Sequence, residues 1–308
     1  MISAVIPAYN RAELLGRAIE SALTQTRPPA EIIVSDDGST DNTEEVASRY
    51  PVTYVRQANQ GASEARNFGV RHASQPWIAF LDSDDYWMPD HLERLGAACD
   101  ATEGSARFYF DDLVRDVGGV PTSHWERCEF SIEGDWKLVD NAGDWVMLPR
   151  QPSMLQCSLI DREWYEREGG LWKPLGIRHD NHIFMRLGLR GPACAVSGVG
   201  TRMTDDDAAE TRVFATGLTN GPGSHKYAIE TVLMYEDLLR TVPEAAPEHR
   251  TTMVRRFSNG NFKIARAGIR EHRWGLAAKH LAAGCYLDPR GSLERVTNRV
   301  RRRNDEDG

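Results

Sequence analysis

Trp77-Ile78-Ala79-Phe80-Leu81-Asp82-Ser83-Asp84-Asp85 runs from an apolar stretch straight into three acids. A short apolar run that stops at polar residues predicts a strand buried on both faces. Carboxylates crowded at the end of such a strand repel one another and must be solvated or paired. They suit a hard divalent cation held against a phosphate. Magnesium and manganese take oxygen ligands from one or two carboxylates and complete the shell with phosphate and water. Residues two apart on a strand face the same side, so Asp82 and Asp84 are expected to converge if the strand continues through them. Asp85 is expected to serve the turn and cap ahead of a helix opening at Pro89.

Outward from this segment the periodicity alternates. Ile2–Ile6, Glu31–Ser35 and Val52–Arg56 read as strands. Arg11–Thr24 reads as a helix with Asn10 as its cap, and Asp41–Arg49, Ser63–His72 and Pro89–Cys99 read as further helices. Strand and helix alternating through short links predict an α/β fold with a parallel, doubly wound sheet. Ligands of such sheets sit outside the carboxyl ends of the strands. Three of those ends carry unusual chemistry: Pro7-Ala8-Tyr9-Asn10, Asp36-Asp37-Gly38-Ser39 and Asp82-Ser83-Asp84-Asp85.

Past Ala106 the pattern predicts strands at Arg107–Phe110, Met154–Ile160 and Cys194–Val199, and helices at Asp161–Glu168 and His179–Leu189, with a loop or hairpin over Gly118–Ser131. After Asp205-Asp206-Asp207 it turns helical, at Lys226–Thr241, Glu248–Ala267, Arg273–Tyr286 and Ser292–Arg303. The expected organisation is a catalytic body over 1–204, a loop or linker over 205–224 and a C-terminal helical extension over 225–308. The body divides into a nucleotide-binding half, 1–105, and an acceptor half, 106–204.

The 308 residues are 41% hydrophobic and 27% charged, as in soluble globular proteins, and a net charge of -8 gives the chain no global attraction for nucleic acid. No apolar stretch approaches bilayer length, and Ile2–Ile6 is too short for a leader. Five scattered cysteines point to reduced thiols in a cytoplasmic protein. Arg290, Arg295, Arg299, Arg301, Arg302 and Arg303, with Leu293, Val296 and Val300 at helical spacing, describe a basic amphipathic helix. Such a helix offers a peripheral contact with the inner face of a membrane, although a solvated charged face is the plainer reading.

Two further segments bear chemistry. Gly38 permits a tight turn, and Ser39 or Asp41 can cap the next helix, which leaves two adjacent acids unexplained. One of them could accept the ring N–H of uracil, and a missing partner there costs about 1–3 kcal/mol. In Asn59-Gln60-Gly61-Ala62-Ser63-Glu64-Ala65-Arg66-Asn67-Phe68-Gly69, Gly61 can start a helix whose amino end faces a phosphate. Arg66 is either a phosphate partner or a solvated helix arginine.

Val5-Ile6-Pro7-Ala8-Tyr9-Asn10-Arg11, Asp36-Asp37-Gly38-Ser39-Thr40-Asp41, Ala65-Arg66-Asn67-x-Gly69 and Leu81-Asp82-Ser83-Asp84-Asp85-x-Trp87-x-Pro89 together resemble glycosyltransferase family 2 over the first hundred residues. The resemblance implies a GT-A fold, with a Rossmann-like mixed sheet, and an inverting mechanism. It also implies a nucleotide-diphosphate sugar donor, a UDP-sugar by preference, and Mn2+ or Mg2+ as cofactor. It assigns Pro7, Ala8, Tyr9 and Asp37 to the base, Asp82 to the ribose and Asp84 to the metal, with Arg66 and Ser83 also on the nucleotide.

The resemblance also implies a general base in an acidic motif that opens a later helix. The matching place is Ile177–Leu187, where His179-Asp180 stands for the frequent Glu-Asp. Asp180 is therefore expected as the base, against a plain helix cap, and His179 as its neighbour or an acceptor contact. Trp172, after Gly169-Gly170, would stack on a sugar or belong to the core. Thr201–Arg212, with Arg202 and Arg212, matches a segment that often covers the diphosphate in the family.

The expected activity is metal-dependent inverting transfer to the hydroxyl of a carbohydrate or glycoconjugate acceptor. The alternatives are a sugar-nucleotide nucleotidyltransferase and a non-catalytic nucleotide-sugar binder. The former would need a glycine-rich triphosphate cradle where Pro7-Ala8-Tyr9-Asn10-Arg11 stands. A first strand without G-x-G-x-x-G argues against a dehydrogenase. The motifs leave the sugar, the acceptor and the oligomeric state open.

Overall fold

The computed structural model describes residues 1–117, 120–204, 222–289 and 291. It forms two compact units, Met1–Ala215 and Thr216–Gly308.

In the first unit β1 (Ile2–Ala8), α1 (Leu15–Leu23), β2 (Glu31–Asp36), α2 (Thr43–Ala47), β3 (Thr53–Arg56), α3 (Ala62–Arg71) and β4 (Trp77–Phe80) alternate along the chain. The four strands are parallel, in the spatial order β3-β2-β1-β4. Every residue of β1 is buried, which is why its sequence shows no alternation of polar and apolar side chains. α1 buries Leu15, Ala18, Ile19 and Ala22 on its inner stripe. α3 lies unusually close to the sheet. A Cβ at Gly69 would sit 2.4 Å from Val5 Cγ1, and Ser35 Oγ donates to the Ala65 carbonyl at 2.6 Å. That close approach is the physical reason for a glycine at this place in the motif.

The chain continues through β5 (Tyr86–Trp87), α4 (His91–Ala101), β6 (Phe108–Val117), β7 (Val120–Ser123), α5 (His124–Cys128), β8 (Trp136–Val139), α6 (Gly143–Val146), β9 (Ser158–Asp161), α7 (Arg162–Arg167), α8 (His179–Gly188) and β10 (Ala193–Met203). β9 runs antiparallel between β4 and β6, and β6 is parallel to β10. The sheet is thus mixed, with its parallel half at the amino-terminal side. The hairpin expected within Gly118–Ser131 is β6–β7, and residues 118–119 lie outside the described residues.

Three sequence expectations fail locally. α1 is preceded by Leu14 as its N-cap, not Asn10, which instead takes a left-handed φ of 53° in the loop after β1. α4 opens at His91 behind Asp90, so Pro89 precedes the helix. β4 stops at Phe80, before the acids.

The second unit contains α9 (Pro222–Thr241), α10 (Pro247–Arg270) and α11 (Trp274–Leu287). Gly268 meets Ala277 and Gly284 meets Phe262, so α10 and α11 form an antiparallel hairpin. Ser258 Oγ donates to the Gly284 carbonyl at 2.9 Å, and His280 Nδ1 lies 2.7 Å from Asn261 Oδ1. The expected linker lies outside the described residues up to 221, as does the helix expected at Ser292–Arg303. Among the described residues no helix is long and apolar enough to cross a membrane. All five cysteines are free, and Cys285 is the exposed one.

Candidate active site

The loops after β1, β2 and β4 emerge on one edge of the sheet and border a cleft of about 490 Å³. Pro7, Ala8, Tyr9, Asp37, Arg66, Asp82, Ser83 and Asp84 all line it. The eight residues expected at the nucleotide and the metal therefore come together. Asp180, His179 and Trp172 are not on its walls.

The first two loops are laced to each other. Asn10 N donates to Ser39 Oγ at 2.9 Å, Thr40 N donates to Asn10 Oδ1 at 2.8 Å, and Arg11 N donates to Thr43 Oγ1 at 3.0 Å. Asp41 accepts from Ala12 N and Thr43 N, so it braces the start of α2, although Asn42 and not Asp41 is the N-cap. Asp36 is buried and accepts from Ser39 N, Ser39 Oγ and the Tyr54 hydroxyl. It builds the turn. Asp37 accepts from Gln57 Nε2 at 2.7 Å, Gln60 N at 2.9 Å and Gly61 N at 2.7 Å. A carboxylate offers about four acceptor positions. Asp37 is thus largely committed to the loop leading into α3, with one position left on an acid that still borders the cleft. Tyr9, at 46% exposure, presents an open aromatic face on the same wall.

After β4 the acids converge by a turn, not by the pleat of a strand. Asp85 N donates to the Asp82 carbonyl at 3.0 Å. Asp82, Asp84 and Asp85 each bring a carboxylate oxygen within 4.8 Å of the others. Arg66, buried on α3, donates to Asp82, and Arg11 Nη2 lies 3.9 Å from Asp84 Oδ2. Arg66 is therefore no solvated helix arginine. Asp85 is not a cap either. It is buried, accepts from Thr204 N at 3.1 Å and meets Gln156 Nε2 at 3.5 Å. Burial, then the charges of Asp82 and Asp84, push its pKa well above the usual carboxylate range. Three hard oxygen donors within reach of one ion, the most buried opposed by no bonded cation among the described residues, fit a divalent metal. Asp82, Asp84 and Asp85 would hold it.

Asp180 occupies the first turn of α8, where Arg178 is the N-cap. Neither of its partners is a backbone N–H of the helix: the side chain of His179, the first helical residue, puts Nε2 2.8 Å from Oδ1, and Leu155 N, outside α8, donates to Oδ2 at 3.4 Å. The cap alternative is thereby removed. Burial raises the Asp180 pKa, but the adjacent His179 imidazole and then Arg66 outweigh it and hold the carboxyl below its ordinary value. Arg66 in turn is stabilised as a cation by Asp82 and Asp180. His179 Nδ1 is buried with no hydrogen-bond partner among the described residues.

Asn67, the next residue on α3, fixes the approach to α8. Its Nδ2 donates to the Leu171 carbonyl at 2.8 Å, and its Oδ1 accepts from Leu171 N and the Tyr165 hydroxyl. Gly170, at φ 67°, would put a Cβ 2.6 Å from Asn67 Oδ1, so the turn needs glycine there. Trp172 is half-buried, its ring 5.4 Å from that of His182. Arg202 lies on β10, and the rest of Thr201–Arg212 beyond Thr204 is outside the described residues.

Residues 3–138 match the family model described as glycosyl transferase family 2. That stretch belongs to the family. An uncharacterized glycosyltransferase of Haemophilus influenzae is 39% identical over 192 residues, which are 61% of this chain and 62% of that protein. The chain spans no more than 62% of the length of the first curated relatives it matches. Among solved structures, residues 1–349 of Staphylococcus aureus TarS, in complex with UDP-GlcNAc, superpose with a TM-score of 0.66 at 17% identity, over 93% of this chain and 81% of that one. The mannosyltransferase PcManGT of Pyrobaculum calidifontis, in complex with GDP-Man and Mn2+, gives a TM-score of 0.57 at 17% identity, over 97% and 79%. These likenesses show a GT-A fold for this chain.

Sequence reasoning missed three contributors to the site. Asp85 was visible as an acid but not as a buried one, because Gln156 and Thr204 are remote in sequence. Asn67 stood inside a quoted motif without a role. Thr204, whose hydroxyl donates to the Asp84 carbonyl beside Arg17 Nη2 at 2.7 Å, gave no signal.

Proposed function

We propose that this chain transfers a glycosyl group from a nucleotide-diphosphate sugar, a uridine one by preference, to an acceptor hydroxyl on a carbohydrate or glycoconjugate, with inversion at the anomeric carbon. The observation that carries the reading is one cleft that gathers Tyr9, Asp37, Arg66 and the Asp82–Asp85 carboxylates, with ionised Asp180 coupled to it through Arg66. The UDP-GlcNAc complex of TarS and the GDP-Man and Mn2+ complex of PcManGT support a nucleotide-sugar donor and a divalent ion.

In this reading Pro7, Ala8 and Tyr9 border the base, Asp37 offers it a remaining acceptor position, and Ser83 borders the ribose with Asp82. Arg11 and Arg66 contribute positive charge beside the diphosphate. Mn2+ or Mg2+ on Asp82, Asp84 and Asp85 would offset charge that develops on the leaving diphosphate. Asp180 takes the proton of the acceptor hydroxyl as its oxygen attacks, while His179 holds that carboxylate in place. Holding donor and acceptor together converts an encounter into an oriented attack. Trp172 offers a partly open ring to the acceptor. Residues 1–204 carry the reaction, 1–105 for the donor and 106–204 for the acceptor, with 205–224 leading to the helices of 225–308.

The test is a panel of UDP- and GDP-sugars, with and without manganese, read by thermal shift and by nucleoside diphosphate release. A manganese-dependent shift with slow UDP release supports the reading. Pyrophosphate release would replace it with nucleotidyl transfer, and donor binding without any release would leave a binding protein.

A further inference from the structure

The acids after β4 are followed at once by β5, and β5 pairs antiparallel with β10 at Tyr86↔Arg202 and Trp87↔Thr201. That register, continued by two residues, sets Thr204 across from Asp84. The ladder between the two strands has ended there, and side chains take over its work. Thr204 N donates to Asp85 Oδ1 at 3.1 Å, and the Thr204 hydroxyl donates to the Asp84 carbonyl. Arg17 Nη2, on α1, donates to the same carbonyl at 2.7 Å and to Thr204 Oγ1 at 2.8 Å. One threonine thus holds the backbone of one acid and the carboxylate of the next.

The anchor behind Thr204 is fixed in the sheet. Arg202 and Met203 pair with Val114 and Arg115 of β6. The Gln156 carbonyl accepts from Thr201 Oγ1 at 2.6 Å and from Trp87 Nε1 at 2.9 Å, and all three residues are buried. Gln156 Nε2 lies 3.5 Å from Asp85 Oδ2, so each oxygen of Asp85 faces a donor. Asp82, Asp84 and Asp85 need such bracing. Carboxylate oxygens within 4.8 Å of one another repel, and repulsion drives a turn to open. An opened turn loses the spacing that a small cation requires.

We infer that Thr204 is a positioning residue for the cation: its hydroxyl keeps Asp84 and Asp85 at the separation that a small divalent ion demands. The role rests on the cation reading of the cleft given above. It concerns ion size in particular. Magnesium requires near-ideal octahedral geometry at about 2.0–2.1 Å, whereas calcium accepts a looser shell at about 2.3–2.6 Å.

The test is manganese binding by the full chain in the presence of UDP, read from the spin resonance of the unbound ion, with magnesium and calcium as competitors. Thr204→Val keeps the shape of the side chain and removes the hydroxyl. It should weaken manganese and magnesium by about tenfold and calcium by less. Thr204→Ser should restore the wild-type affinities. Thr204→Ala reads the same loss if valine disturbs folding. A wild-type chain that takes up no manganese brings down the cation reading and this inference with it. Manganese bound by wild type and equally well by the folded valine and alanine variants overturns this inference alone. So does an equal loss for all three ions, or a loss that serine leaves unrepaired, because either result makes Thr204 a general support of the strand end.

Discussion

Two strand ends on the same edge of the sheet carry adjacent acids, and the chain treats them in opposite ways. After β2, Asp36 and Asp37 each accept three hydrogen bonds from nearby amides, hydroxyls and a side-chain amide. Their charge is spent on holding loops. After β4, Asp82, Asp84 and Asp85 crowd within 4.8 Å of one another, and the buried member is pushed toward its neutral form. Acids that the chain has already supplied with donors are architecture. Acids that face each other at the cleft, with Arg66 and Arg11 beside two of them, suit a ligand cation. Adjacency in sequence does not separate the two cases, whereas the partners that each carboxylate meets do.

The largest effect expected from this contrast lies at Asp180, which has few donors and no helix to cap. Asp180→Asn should lower transfer by about 10²- to 10⁴-fold while donor affinity, read by thermal shift, stays near wild type. Wild-type turnover would remove the base assignment. Next comes Asp84→Asn, which should abolish the manganese-dependent shift given by a nucleotide sugar and leave the ligand-free melting point unchanged or higher. A retained shift would move Asp84 to the architectural side.

The donor-rich acids should behave the other way. Asp36→Ala leaves buried Ser39 and the Tyr54 hydroxyl without their acceptor, and should cost about 3 kcal/mol of unfolding free energy in urea titration. Asp37→Ala should cost about 1–3 kcal/mol and relax the preference for uridine donors. Lost stability with an unchanged nucleotide profile would make Asp37 a loop holder alone.

The smallest effect is on pH dependence. Asp180 has a folded pKa depressed chiefly by His179. Its ionised form is favoured above the unfolded value of about 3.9 and is lost as pH falls through the lower folded value. The acid limb of kcat set by Asp180 should therefore lie below about pH 4. His179→Ala should move that limb to higher pH, and an unmoved limb would show that His179 does not tune the base.

The alternation of the first hundred residues was legible because parallel strands buried on both faces leave continuous apolar runs, as in Ile2–Ile6 and Trp77–Phe80. The motif residues were legible as a set because three strand ends share one edge. What escaped were roles fixed by distant partners. Asn10 looked like a cap because it precedes a helical pattern, yet its side chain answers Thr40 across the loop. Asp85 looked like a turn residue until Gln156 and Thr204 buried it. The convergence of Asp82 and Asp84 was expected for the wrong reason, since a hydrogen-bonded turn does what a pleat was expected to do. Asp180 as a base rested on motif position, and its bond to Leu155 could not be read from spacing.

Arg66 and Asn67 are consecutive residues of one helix, yet they answer to different neighbours. One holds Asp82 at the cleft, and the other holds the turn at Leu171 on the chain leading to Asp180. α3 therefore works as a gauge block. If it shifts against the sheet, both grips travel with it, and the spacing between the Asp82 turn and the Leu171 turn is preserved.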